Sequence, residues 1–316
     1  MIISASRRTD IPSYYSEWFL NRIKEGFVLV RNPVAFHQVS RIKLMPDMVD
    51  GIVFWTKNPI PMFGRIGELN DYTYYFQFTI TPYGKDLEPN ILPNFPLKND
   101  VILSAFKQLS DKIGPDRIVW RYDPILLSEK YPAQYHVRSF EKIADTLHGY
   151  TRKVTISFID DGYRGVKNNI KELALQGFPV SKQIEISSAL AGIAKGYGLR
   201  IDACAEKTDL RPFGIEQARC IDDRLFEKLL DCRLSIAKDK NQRYECGCVA
   251  SVDIGMYNSC LNGCRYCYAN YSPKTVARNH ARHNPFSPLL SGEITTEDII
   301  TDRGMESHRD VQMRLL

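Results

Sequence analysis

Five of the chain's eight cysteines fall within residues 246–267, and three of them read Cys260-Leu-Asn-Gly-Cys264-Arg-Tyr-Cys267. Thiolates at these intervals can converge from one tight loop on three corners of an iron–sulfur cube. Gly263 lets the backbone turn sharply around such a core. With three ligands at hand, one iron keeps an open coordination position that a substrate can chelate. Eight cysteines in 316 residues produce this double spacing by chance in roughly one chain in two hundred. Zinc is the competing occupant, with Cys246-Gly-Cys248 supplying further thiols, and inert buried thiols are a third reading.

Cys204, Cys220, Cys246 and Cys248 amount to an all-cysteine ligand set for a second [4Fe–4S] cluster or a zinc ion that ties the tail to the rest of the chain. The alternative for each is a small buried apolar group, which is the expectation for Cys232. The six histidines (37, 136, 148, 280, 283 and 308) show no metal-site spacing. No nucleophile elbow, phosphate loop or dinucleotide fingerprint is present.

Elements must position these thiols. Apolar, strand-like runs at 2–5, 52–55, 74–80, 118–122, 154–158 and 199–203 alternate with helical spacing at 101–113, 136–147, 166–175 and 184–195. Parallel strands need crossover connections, so the pattern predicts βα units and an α/β fold. The expectation is a partial (β/α)6 TIM-like barrel over residues 1–236, with a doubly wound open sheet as the competing arrangement. Residues 237–316 are then a cysteine-rich, cluster-binding segment packed on the barrel rim. Polar residues follow each strand: Arg7, Arg8 and Asp10; Lys57 and Asn58; Thr81 and Tyr83; Asp123; Asp160 and Asp161; Glu206 and Lys207. Function collects at C-terminal strand ends in such folds, so one rim is expected to carry a substrate site.

Composition sets outer bounds. The chain is 44% hydrophobic and 25% charged, with a formal net charge of +5, which permits an anionic partner without calling for one. No apolar run is long enough to cross a bilayer, and residues 1–10 lack the order of a secretory signal. The expected location is cytoplasmic, where the cysteines would be thiols or metal ligands rather than disulfides.

The cysteine loop, including the aromatic Tyr266 before its third cysteine, resembles the signature of the radical S-adenosylmethionine superfamily. Four other stretches add to this: Ser4-Ala-Ser-Arg-Arg-Thr-Asp-Ile-Pro12, Phe54-Trp-Thr-Lys-Asn-Pro59, Arg121-Tyr-Asp-Pro124 and Ser251-Val-Asp-Ile-Gly255. With them, nearly the whole chain resembles a bacterial family catalogued as domain of unknown function 1848. The superfamily resemblance implies a [4Fe–4S] cluster on Cys260, Cys264 and Cys267, and S-adenosylmethionine as cofactor. It also implies a reductase or flavodoxin-like electron donor and a 5′-deoxyadenosyl radical that abstracts hydrogen from substrate. Tyr266 would lie near the adenine, and Arg7, Arg8, Asp10, Lys57, Asp123 and Glu206 would face the cluster across one cavity, anchoring substrate or the methionyl group. The chain departs from that pattern in two ways: its cysteine loop follows six strands instead of one, and it lacks a Gly-Gly-Glu-type segment. A similarity to spore photoproduct lyase, with Trp55 able to stack on a base, brings nucleic acid in as one substrate class. The alternative function is a non-catalytic iron–sulfur or zinc protein, an electron carrier or interaction platform.

Overall fold

A strand buried on both faces reads as an unbroken apolar run, and such runs build a parallel sheet. The computed structural model describes residues 1–92, 98–160, 162, 166–167, 175 and 178–310. Its strands are β1 (Ile2–Ala5), β2 (Phe27–Arg31), β3 (Gln38–Lys43), β4 (Gly51–Thr56), β5 (Tyr74–Thr79), β6 (Ile118–Ile125), β7 (Lys153–Phe158), β8 (Arg200–Ala203), β9 (Glu216–Gln217), β10 (Val252–Asp253) and β11 (Ile299–Asp302). All six expected strands form. They are neighbours in chain order within an eight-stranded sheet, β10-β1-β4-β5-β6-β7-β8-β9, in which each pair is parallel. A doubly wound sheet would reverse direction part-way. This one grows along one edge from β1 to β9, and its two edge strands leave it open.

Three of the four expected helices lie in the described residues, as Lys98–Ile113, Ala133–Leu147 and Val180–Gly196. Each starts three or four residues before the apolar pattern does, because the first turn is polar or Pro-led. The expected helix at 166–175 falls largely outside the described residues, as does Asp161. Two elements follow β1 directly, a single turn α1 (Ile11–Tyr14) and α2 (Ser16–Glu25). A smaller sheet, β11-β3-β2, stands apart from the large one.

Alternate residues of a strand face opposite sides, and here the two sides pack differently. Ile52, Phe54, Phe76 and Phe78 join Trp18, Phe19, Phe106 and Phe140 in the main core beneath the helices. Burying each such ring contributes about 2–3 kcal/mol. Ile2, Val53, Tyr75 and Val119 face the other way, against Phe226, Ile221, Val249 and the cysteines Cys220, Cys246 and Cys248. Phe226 belongs to the helix Asp223–Leu230, and Gly51 makes room for its ring: a Cβ there would stand 2.0 Å from it. The inner face is therefore plugged at the strands' N-terminal ends, which leaves their C-terminal ends to carry a cavity. Among the described residues, no helix is long and apolar enough to cross a membrane.

Candidate functional site

The cavity has a volume of about 510 Å³. Its wall includes the residues just after β1, β4, β7 and β8, Arg121, Asp123 and Pro124 within β6, and seven cysteines: Cys204, Cys220, Cys246, Cys248, Cys260, Cys264 and Cys267. Arg7, Arg8, Asp10, Lys57 and Asp123 line it as well. Glu206 stands just behind, where its carboxylate accepts the Phe158 amide at 2.8 Å. Burial pushes its pKa up to about 7, with Asp123 adding to the effect.

One carboxylate joins the first strand to the cysteine segment. β10 places Asp253 beside Ser4. Its Oδ2 accepts from Ser4 Oγ at 2.6 Å and Arg7 N at 2.8 Å, and its Oδ1 from Ser6 Oγ at 2.6 Å and Gly255 N at 3.0 Å. Gly255 is required because the backbone passes so close that a Cβ would lie 2.0 Å from Ser6 Oγ. Asp10 makes a second staple. It caps α1 through Ser13 N at 3.1 Å and accepts Lys57 N at 2.8 Å and Asn262 Nδ2 at 3.1 Å. Burial raises its pKa against those hydrogen bonds. Asp10 thus ties the loops after β1 and β4 to the cysteine loop.

The cysteine loop is gripped from both sides. Tyr14 OH donates to Asn262 Oδ1 at 2.8 Å and Tyr15 OH to Ser259 O at 2.6 Å. From the loop after β5, Asn90 Nδ2 donates to Leu261 O at 2.8 Å, and Arg265 N donates to Leu87 O at 2.9 Å. Gly263 has φ +67°, a left-handed turn in which a Cβ would also crowd Asn90 at 2.8 Å. Tyr268 OH reaches Arg7 O at 2.5 Å.

Charge is arranged around the three thiols. Glu88, 1% exposed, accepts from Lys57 Nζ at 2.9 Å, Thr81 Oγ1 at 2.6 Å and the Tyr266 hydroxyl. Burial works against the Lys57 ammonium, but Glu88 and Cys264 more than offset it and hold its pKa above the ordinary lysine value. The same ammonium stands 5.5 Å from the centre of the Tyr266 ring. Burial pushes the Cys264 thiol up to about 12 with Lys57 opposing, and it raises Cys260 and Cys267 as well. Neutral thiols beside a held cation are suited to deprotonate on binding a metal, whose charge replaces the lost protons. That donor chemistry fits an iron–sulfur cluster on Cys260, Cys264 and Cys267. Among the described residues, no group of three or more His, Cys, Asp and Glu side chains is set to hold a metal ion as it stands.

Cys204, Cys220, Cys246 and Cys248 line the same cavity. The Sγ atoms of Cys204 and Cys220 are 3.3 Å apart. Arg121, buried on β6, donates from Nη1 to Cys220 Sγ at 2.9 Å while its other nitrogens hold Asp123. Tyr75 OH and Gln77 Nε2 fix the Cys220 carbonyl at 2.7 and 2.9 Å. Cys232 is partly exposed and lies against the inner-face core, just beyond its helix.

Glu88, Arg121 and Asp253 escape a reading of strand ends and thiol spacing. Arg121 and Asp253 each sit inside one of the short polar stretches quoted above, which is the signal that could have found them. Glu88 lies in a long loop and has none.

A model of the family described as "Domain of unknown function (DUF1848)" matches residues 2–269. No curated protein matches the chain. Among solved structures, a protein of Bacteroides thetaiotaomicron described as a putative alpha-L-fucosidase aligns over 70% of this chain and 82% of its own, with 11% identity and a TM-score of 0.26. That likeness is too slight to bear on function.

Proposed function

We propose that this chain, which belongs to the DUF1848 family, is a radical S-adenosylmethionine enzyme whose [4Fe–4S] cluster is held by Cys260, Cys264 and Cys267. The observation that carries the reading is convergence: the cysteine loop and the strand-end residues Arg7, Arg8, Asp10, Lys57 and Asp123 line one cavity. The open sheet is read as a partial (β/α)6 barrel, with the C-terminal segment closing its rim over the strand ends where βα chemistry collects.

When bound, such a cluster supplies one electron to the sulfonium of S-adenosylmethionine. The chain's own residues do the placing. Lys57, kept charged by Glu88, balances the negative charge of the loop thiolates. Tyr266, fixed by its hydroxyl on Glu88 and by Tyr83 at 5.7 Å, offers a rigid ring beside the loop. The Arg8 side chain is a quarter exposed and can receive a carboxylate or phosphate of substrate or cofactor. Asp123 lines the same cavity and can accept a substrate hydroxyl or amine. An electron carrier would have no use for a lined chamber of this size, which favours the enzyme over the carrier or zinc platform. Trp55, which also lines the cavity, keeps a nucleobase among the candidate substrates.

The test is anaerobic reconstitution with iron and sulfide, followed by reduction in the presence of S-adenosylmethionine. Methionine and 5′-deoxyadenosine should appear with the wild-type protein and not with Cys264→Ala. Cleavage that survives in Cys264→Ala, or none in a fully loaded wild-type protein, would overturn the reading.

A further inference from the structure

Cys204, Cys220, Cys246 and Cys248 have no part in that chemistry, yet they are not scattered. Three separate segments deliver them: one follows β8, one follows β9, and one precedes β10. Cys204 and Cys220 touch at 3.3 Å. Cys246 and Cys248 pack with Cys220 in one buried cluster that Cys204 lies against, so the four thiols gather in one place. All four are free of disulfides and all line the cavity.

The surroundings are cationic. Arg121 is 5% exposed and directs Nη1 at Cys220 Sγ, 2.9 Å away. Arg7 lines the same cavity, and the Ile221 amide points at Cys248 Sγ from 3.4 Å. A neutral thiol is a weak acceptor that gives a buried guanidinium little in return. Thiolates on a metal accept strongly, and hydrogen bonds to ligand sulfurs are a recognised lever on cluster potential. Structural zinc occupies a closed tetrahedral cage. These thiols instead form part of the wall of a chamber of about 510 Å³, which gives room for a many-atom cluster.

We infer that Cys204, Cys220, Cys246 and Cys248 hold a second [4Fe–4S] cluster, in the same cavity as the cysteine loop, with Arg121 as the positioning residue that hydrogen-bonds its Cys220 ligand. Four thiolates close every iron, so this centre stores or passes one electron and does not chelate substrate. The inference is independent of the reading of residues 260–267.

Iron and acid-labile sulfide in anaerobically reconstituted protein decide it. The wild-type chain should carry about eight of each, four per cluster. The triple variant Cys260→Ala/Cys264→Ala/Cys267→Ala should keep about half, and the quadruple variant Cys204→Ser/Cys220→Ser/Cys246→Ser/Cys248→Ser should keep the other half. Arg121→Met should shift the reduction potential of the cluster that remains in the triple variant, and an unchanged potential would remove Arg121 from the role. About four irons in the wild type, all retained by the quadruple variant, would overturn the second cluster. So would one zinc per chain that the quadruple variant loses. About four irons in the wild type, all retained by the triple variant, would instead sink the loop cluster and leave this one standing.

Discussion

Replacing Asp253 with alanine should loosen the cysteine segment from the sheet. The carboxylate is 9% exposed and accepts four hydrogen bonds, two from side chains on β1 and its loop and two from backbone amides. A hydrogen bond to a charged group is worth about 1.5–3 kcal/mol, but the four are not additive. Ser6 Oγ, for example, already accepts Arg8 N at 2.9 Å and has other partners to turn to. Losing one side of a buried charged network costs about 3–5 kcal/mol, which is the expected loss for Asp253→Ala. Asn offers one acceptor oxygen where Asp offers two, and it turns an NH2 group toward two donors, so Asp253→Asn should lose about 2–3 kcal/mol. Urea unfolding of the metal-free protein under anaerobic conditions measures both. Limited proteolysis then asks whether cleavage appears in residues 237–258. A change within about 0.5 kcal/mol of wild type, with no new cleavage, would refute Asp253 as the staple between β1 and the cysteine loop.

Lys57→Met leaves Glu88 buried without its cation and should cost about 3–5 kcal/mol by the same unfolding assay; adding Glu88→Gln should recover part of that loss. Gly255→Ala drives a Cβ to 2.0 Å from Ser6 Oγ and should lower the melting temperature, whereas alanine at Gly149, which has open space around its Cβ, should act only through its positive φ. His136 is fully buried between Tyr122 OH at 3.0 Å and Leu126 O at 2.7 Å, and burial lowers its pKa from 6.5 to about 4. The unfolded chain then binds a proton that the folded chain refuses. Stability should be complete above pH 6.5 and fall as pH drops toward 4, by up to about 3 kcal/mol. His136→Gln should flatten that part of the pH profile, and an unchanged slope would count against the buried neutral ring.

The sheet was legible where strands are buried on both faces, because burial leaves the unbroken apolar runs at β1, β4, β5, β6, β7 and β8. The edge strands were not. β9 is only Glu216–Gln217 and β10 only Val252–Asp253, two residues each, too short for any period, and both are recruited by strands already in place. β3 buries only Val39 and Ile42, three residues apart, so it shows no period of two, and a hairpin-like pair with β2 does not fit a βα rhythm. In the site, residue type and spacing pointed to the thiols. What holds them did not show. Glu88, Arg121 and Asp253 earn their partners only when loops far apart in sequence meet, and a lone acid or arginine has no spacing of its own. Asp10, expected at the rim for its position after β1, does line the cavity, but its hydrogen bonds to Ser13, Lys57 and Asn262 are spent on joining loops.

The most direct measurement is the electron paramagnetic resonance spectrum of the reduced, reconstituted protein before and after adding S-adenosylmethionine. An open iron on the loop cluster binds the cofactor, so part of the spectrum should change shape on addition, and that part should be missing from Cys264→Ala. Wild-type spectra that superimpose with and without S-adenosylmethionine would contradict the account.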